Sequence, residues 1–532
     1  MLLKKVQIPG LLLAGFISFF VAGALIALLA HSTTLNVSAL WQDPYYRHIT
    51  TFSFYQAFLS TLLSVVLAIP ISHALYRREF WGKALLLKLF ASTLVLPVLV
   101  AIFGLLSIYG NSGLLAQLLT KFQASLPFSI YGLKGILLAH VFFNLPFATR
   151  LFLQALQSIP EPQHKLAAHL GMTHWLKFKY LEWPHIRGQL THVAGLIFML
   201  CFTSFATVMA IGGGPKATTI ELAIYQAIKF DFDLQSGALL ALWQMSLCAL
   251  LAFFIQKTMR SSRLSASYTS VKVYLFSDRK RDKCWDFFCI TLVIAFVIPP
   301  LLMVLVAGLN EKLLIVLSDF YFWMAFKNSM IIAISAGFLA LTLAFFILLC
   351  SRVWRMRGLH SYADNIEILA TIILVTPGLV ISTGLFLLLR EFNHYAMLPL
   401  FIVIVVNALM ALPFALKNLA EPMLHNAQKY DKLCASLGIF SGYRFYLIEW
   451  KALKIPIVQA FSLSFALSIG DLSAIALFGN RDFSTLPLYL FQLMGSYQMQ
   501  SAAVVALILL LLSVGIFILT ERIFHLKRVQ ND

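Results

Sequence analysis

Apolar runs close to 20 residues long recur along the whole chain, separated by short polar stretches. A run of that length crosses a hydrocarbon core of roughly 30 Å as a helix. In lipid a helix satisfies its own backbone hydrogen bonds, so each run reads as a transmembrane helix. The pattern predicts about twelve spans, near residues 10–31, 52–76, 87–109, 131–157, 190–212, 236–257, 286–308, 322–350, 366–390, 396–419, 455–478 and 500–521. The first run, Leu11 to Ala30 behind Lys4 and Lys5, is read as an uncleaved span. It is long for a signal segment, and no small-x-small cleavage site is clear.

Composition agrees with an all-α membrane protein. Of 532 residues, 60% are hydrophobic and 12% charged, too few charges to cover a soluble protein of this size. The formal net charge of +18 could suggest nucleic acid, but the cations sit in short loops between apolar runs, the positive-inside pattern. Arg77, Arg78, Lys83 and Lys88 follow the second span; Lys165, Lys177, Lys179 and Arg187 the fourth. Arg260 to Lys283 follow the sixth, Arg352 to Arg357 the eighth, Lys429 to Lys454 the tenth, and Lys527 and Arg528 close the chain. One topology fits: a multi-pass membrane protein with both termini in the cytoplasm, and no nucleic-acid partner. The six cysteines form no Cys-x-x-Cys pair, so neither a disulfide framework nor a zinc site is expected. A polar, basic stretch divides the chain into a first half at 1–257, a cytoplasmic linker at 258–285 and a second half at 286–532.

An internal repeat relates the halves. Residues 165–171 read KLAAHLG and residues 432–438 read KLCASLG, an offset of 267. The same offset aligns Leu145-Pro146-Phe147-Ala148 with Leu412-Pro413-Phe414-Ala415, Phe178 with Phe445, and Glu182-Trp183 with Glu449-Trp450. It slips by one farther on, where Thr219 and Gln226 meet Thr485 and Gln492. Both copies follow the fourth span of their half on the cytoplasmic side. The halves are therefore parallel six-span repeats about an axis along the membrane normal. The cytoplasmic segments, about 158–189 and 420–454, are long for mere connections. Their first parts read as short helices ending at Gly171 and Gly438, which suit helix C-caps. Such a pair either anchors in lipid headgroups or forms a two-fold docking surface for cytoplasmic partners. The symmetry favours docking.

The segment resembles the EAA loop of ABC importer permeases, in which Glu-Ala-Ala precedes a Gly by three residues and a Pro follows thirteen later. Gly171 and Pro184 keep that spacing, whereas Lys165 and Leu166 stand at the Glu and first Ala positions, and Lys451 at the second Pro position. The stretches 41–64, 73–80, 96–110, 131–150, IGGGPKATTIELAIYQ (211–226) and LFGNRDFSTLPLYLFQ (477–492) extend the resemblance, which covers nearly the whole chain, to the fused permeases of thiamine importers. The resemblance implies a type I importer fold in the bacterial inner membrane. It implies a coupling helix that docks on an ATP-hydrolysing subunit at Lys165, Leu166, Ala167, Ala168, Leu170 and Gly171, and again at Lys432, Leu433, Cys434, Ala435, Leu437 and Gly438. It further implies two ATP-binding subunits, a periplasmic binding protein and thiamine, or its phosphate esters, as cargo, carried by alternating access. Iron(III) importer permeases share the two-half layout and the Ser-x-Gly-Asp pattern at Ser468–Asp471 and are the nearest alternative. A secondary transporter is the alternative of another class.

No chemistry of catalysis is readable. Gly212 to Thr219 has the wrong Gly–Lys spacing for a phosphate loop, is interrupted by Pro215, and falls outside the cell. ATP is thus expected to be hydrolysed by another chain, with no cofactor or metal held by this one. His164, His169 and His174 fall every five residues and spread around a helix. Asp471, in or at the end of an apolar span, is a candidate for the substrate path, since a carboxylate there is costly. The competing reading gives it hydrogen bonds to Ser468, Ser473 or a backbone amide.

Overall fold

The structure is a computed structural model and describes residues 2–31, 38–93, 95–124, 128–259, 280–371, 373, 376–389, 397–439, 441–480 and 483–529. Among the described residues every regular element is helical. Ten helices are long and apolar enough to cross a membrane, and the bent pair His174–Phe202 and Phe205–Ile211 supplies an eleventh. The ninth span expected from the sequence is two shorter helices, His360–Thr371 and Gly378–Leu389. The linker read at 258–285 lies mostly outside the described residues, and helix Lys280–Gly308 already begins within it.

Four of the expected spans are broken, in symmetric pairs. The third divides into Lys83–Ser92 and Val98–Tyr109, the ninth into the two pieces above. Both resume after a proline. Pro97 and Pro377 each cap the outgoing helix, accepting from Val100 N–H at 3.1 Å and from Val380 N–H at 3.0 Å. Proline lacks an N–H and disfavours helical geometry in the residue before it, so an unbroken ladder cannot pass. The fifth span bends by 53° between Phe202 and Phe205, and the eleventh breaks between Ile469 and Ser473. At the centre the breaks meet: a Cβ on Gly470 would lie 3.0 Å from Pro97.

The halves exchange their first helices. Leu2–His31 packs along Phe320–Met356 and Gly378–Leu389 of the second half. Lys280–Gly308 packs along Pro44–Arg77 and Val98–Tyr109 of the first. A glycine admits each crossing. A Cβ at Gly104 would sit 2.4 Å from the Pro300 carbonyl oxygen, and one at Gly384 2.4 Å from that of Ala24. Small residues let helix backbones approach closely in lipid, where no hydrophobic force between helices substitutes for packing. On the side opposite the repeated segments, the helices Ile220–Lys229 and Leu486–Gly495 are seated alike. Ser53 Oγ accepts from Ile220 N–H at 3.0 Å, and Ser329 Oγ from Leu486 N–H at 2.7 Å.

Candidate functional site

The two repeated segments begin differently and end alike. In the first half, Ser158 to Pro160 interrupt the chain and Glu161–His169 forms its own helix; in the second, Leu398–Ser436 runs on without a break. Both end in the same cap. Gly171 donates to Ala168 O at 2.9 Å and Met172 to Ala167 O at 3.1 Å, while Ile439 donates to Cys434 O at 2.9 Å and Gly438 faces Ala435 O. This pattern requires a left-handed residue at the glycine, and φ is +59° at Gly171 and +68° at Gly438. A side chain there would cost about 1–2 kcal/mol.

The cap fixes which residues face outward. Ala167 and Cys434 turn inward and are buried, whereas Lys165 and Lys432 are exposed. Leu166 and Leu170 are 58% and 63% exposed, and Leu433 and Leu437 51% and 63%. Spaced by four, each leucine pair stands on one helical face. Trp175 and Tyr443 add exposed aromatic surface after the cap. Of the candidate residues, Lys165, Leu166 and Leu170, and likewise Lys432, Leu433 and Leu437, are exposed together as paired apolar knobs beside a lysine, whereas Ala167 and Cys434 pack inward. Lys165, at the position of the family's glutamate, bonds instead to Glu161 at 3.0 Å.

Behind that surface lies a feature missed from the sequence. Each segment continues through a widened π-type turn, Phe178–Glu182 and Phe445–Glu449, before the next span. Such turns often mark functional positions. The closing glutamate is buried in both and carries a cation from its own segment: Lys177 lies 3.3 Å from Glu182, and Arg444 2.9 Å from Glu449. A second partner arrives from the end of another span, His73 at 2.8 Å from Glu182 and Arg352 at 2.9 Å from Glu449. The glutamates therefore lock each repeated segment to the transmembrane bundle. Lys177 and Arg444 share the offset of 267, as the glutamates do, so the repeat carried this signal; the partners His73 and Arg352 leave no such trace. Nearby, Asp286 of the exchanged helix accepts from Arg78 Nε at 2.7 Å and pairs with Arg77 at 3.4 Å, which ties the halves together on this face. His164 is buried against Tyr76, 2.9 Å from its hydroxyl. Burial, and then the Lys177 charge, push its imidazole below the usual value.

The broken fifth and eleventh spans each hold a polar node. In the first half His140 is 2.9 Å from Ser60 Oγ and 2.7 Å from Ser204 Oγ. In the second Asn407, at the equivalent position, donates to Ser468 Oγ at 3.0 Å. Asp471 aligns with Ser204. Its Oδ1 accepts from the Ser473 hydroxyl at 2.7 Å and its Oδ2 from Ala474 N–H at 3.2 Å, so the carboxylate caps the helix Ser473–Phe478. The space beside it, bordered by Ser329, Asn407, Ser468 and Thr485, is about 10 Å³, room for about one water.

The chain matches the model of the family "Binding-protein-dependent transport system inner membrane component" over residues 51–263. It is 48% identical to the thiamine transport system permease protein of Escherichia coli (strain K12) over 526 residues, 98% of each chain. The corresponding protein of Haemophilus influenzae is 44% identical over 507 residues, 94% of this chain and 93% of its own. That of Brucella abortus is 40% identical over 518 residues, 97% and 95% of the two chains.

Proposed function

The chain belongs to the family of thiamine transport system permeases, and from that premise we infer that it is the membrane-spanning permease of an ATP-driven thiamine importer in the bacterial inner membrane. It is not itself an enzyme; ATP is hydrolysed by a partner subunit. The observation that carries the reading is similarity along almost the full length of permeases of this name. The twofold arrangement of the docking segments supports two copies of the ATPase, one beneath Leu166 and Leu170 and one beneath Leu433 and Leu437. Their closure would be transmitted through Glu182 and Glu449 to the spans that follow. A periplasmic binding protein would deliver thiamine to the opposite face, and separation of the halves there would open the path between them.

The test is uptake by proteoliposomes that hold the permease, its ATPase and its binding protein. ATP-dependent accumulation of labelled thiamine is expected. Accumulation of iron(III) without thiamine would overturn the substrate and leave the importer standing. Orientation has its own check. Among the cysteines only Cys284 is exposed. A membrane-impermeant maleimide is expected to label Cys284 from the cytoplasmic face alone, and a Phe232→Cys variant, exposed between the fifth and sixth spans, from the other face alone. Labelling of both sites from one face would reverse the topology of a half.

A further inference from the structure

One ammonium group joins the two halves on the outer face. Lys229 ends the helix Ile220–Lys229 of the first half. Its Nζ donates to Leu477 O at 3.1 Å and to Gly479 O at 2.9 Å, both at the end of the short helix Ser473–Phe478 of the second half. The last carbonyls of a helix lack partners within it and carry partial negative charge, so a cation suits them. A hydrogen bond from a charged donor is about twice as strong as a neutral one. Gly479 is held in place, because a Cβ there would come within 2.4 Å of Leu488 and 2.6 Å of Ile475 O. The helix that carries Lys229 packs against Ser473–Phe478 and Gly378–Leu389, across the boundary between the halves.

We propose that Lys229 is a gating residue, a latch that holds the outer face closed by capping the opposite half, and that it must release for the path to open toward the binding protein. The proposal rests on the importer reading, since the transport cycle is what parts the halves. Three features fit a latch rather than a permanent tie. The lysine is half-buried, so water can take over its hydrogen bonds on release. Among the described residues its hydrogen bonds go to backbone oxygens alone, and none of their carboxylates is stranded when it leaves. The device is also single: by the offset that aligns Ile220 with Leu486, the equivalent residue is Gly495. The helix Ser473–Phe478 is the one capped at its start by Asp471, so the latch bears on the broken eleventh span itself.

The test uses the full complex in proteoliposomes, with Lys229→Met, Lys229→Gln and Lys229→Arg, in a Cys284→Ser background. Loss of one such interaction changes an equilibrium by about tenfold, or about 1.4 kcal/mol. ATP hydrolysis without binding protein is therefore expected to rise about tenfold in Lys229→Met, and to stay within about twofold of wild type in Lys229→Arg. Spin labels at Phe122→Cys and Tyr497→Cys, exposed on the outer loops of the two halves, are expected to move apart in nucleotide-free Lys229→Met. Unchanged hydrolysis and unchanged distances in an assembled Lys229→Met complex would overturn the latch. Should that variant fail to assemble, Lys229→Gln is read by the same two measurements. Absence of thiamine uptake by the wild-type complex in the same vesicles would count against the importer reading alone, because the label distances judge the latch without reference to cargo.

Discussion

Glu449→Ala is expected to abolish co-purification of the ATPase while the permease still inserts in the membrane. Its carboxylate is 5% exposed and neutralises two arginines at once, Arg444 at 2.9 Å and Arg352 at 2.9 Å. Arg352 is itself only 9% exposed and cannot turn to water. Removing one partner of a buried pair leaves an uncompensated charge, at about 3–5 kcal/mol. The transmembrane bundle as a whole tolerates that loss, but the segment Ser441–Glu449 hangs from this contact and from the bond of Arg444 to Asp431. Glu449→Gln keeps an acceptor and should retain part of the binding. Glu182→Ala should act in the same way on the other docking segment, through Lys177 and His73. Normal ATPase binding by both alanine variants would show that the glutamates do not position the docking surface.

Gly384→Leu and Gly104→Leu are each expected to prevent assembly of a stable permease, seen as aggregation in detergent and loss of the monodisperse peak. At both positions the first new carbon would sit 2.4 Å from a backbone oxygen of the exchanged helix. Backbone cannot swing aside as a flexible side chain can, so the helices must separate. Overpacking ordinarily costs about 1–3 kcal/mol, and here it acts along an entire helix interface. Gly15→Leu is the control, since a Cβ at Gly15 meets nothing within 4 Å. A stable protein from Gly384→Leu would mean that the exchanged helix is loosely held.

The apolar runs placed the spans, because a lipid-facing helix must be apolar over a fixed length. The repeat placed the paired capped segments, because KLAAHLG and KLCASLG encode one cap and one outward leucine pair. Exchange of the first helices was not legible: Ala24 and Gly384 lie far apart in sequence, and an apolar run does not state which neighbour it packs against. The broken spans were half legible. Pro97 and Pro377 are visible, yet proline is tolerated within Pro44–Arg77 at Pro70 and within Leu398–Ser436 at Pro413. Asp471 attracted notice as a costly charge, and the structure gives that charge to the turn beside it through Ser473 and Ala474. Lys229 attracted none, since a lysine beside two aspartates reads as ordinary outer-loop polarity.

The exchanged helices also set an order of events during synthesis. The helix Leu2–His31 is made about 290 residues before Phe320–Met356, the surface on which it packs. At about 5–20 residues per second, that interval is roughly 15–60 s. Throughout it the early helix stands in lipid with its backbone satisfied but its Ala24 face uncovered, and the groove at Gly104 waits equally for Lys280–Gly308. Neither half can therefore finish folding alone. Carrying both on one polypeptide keeps the late partner at a high effective concentration, and guarantees that every first half meets one second half.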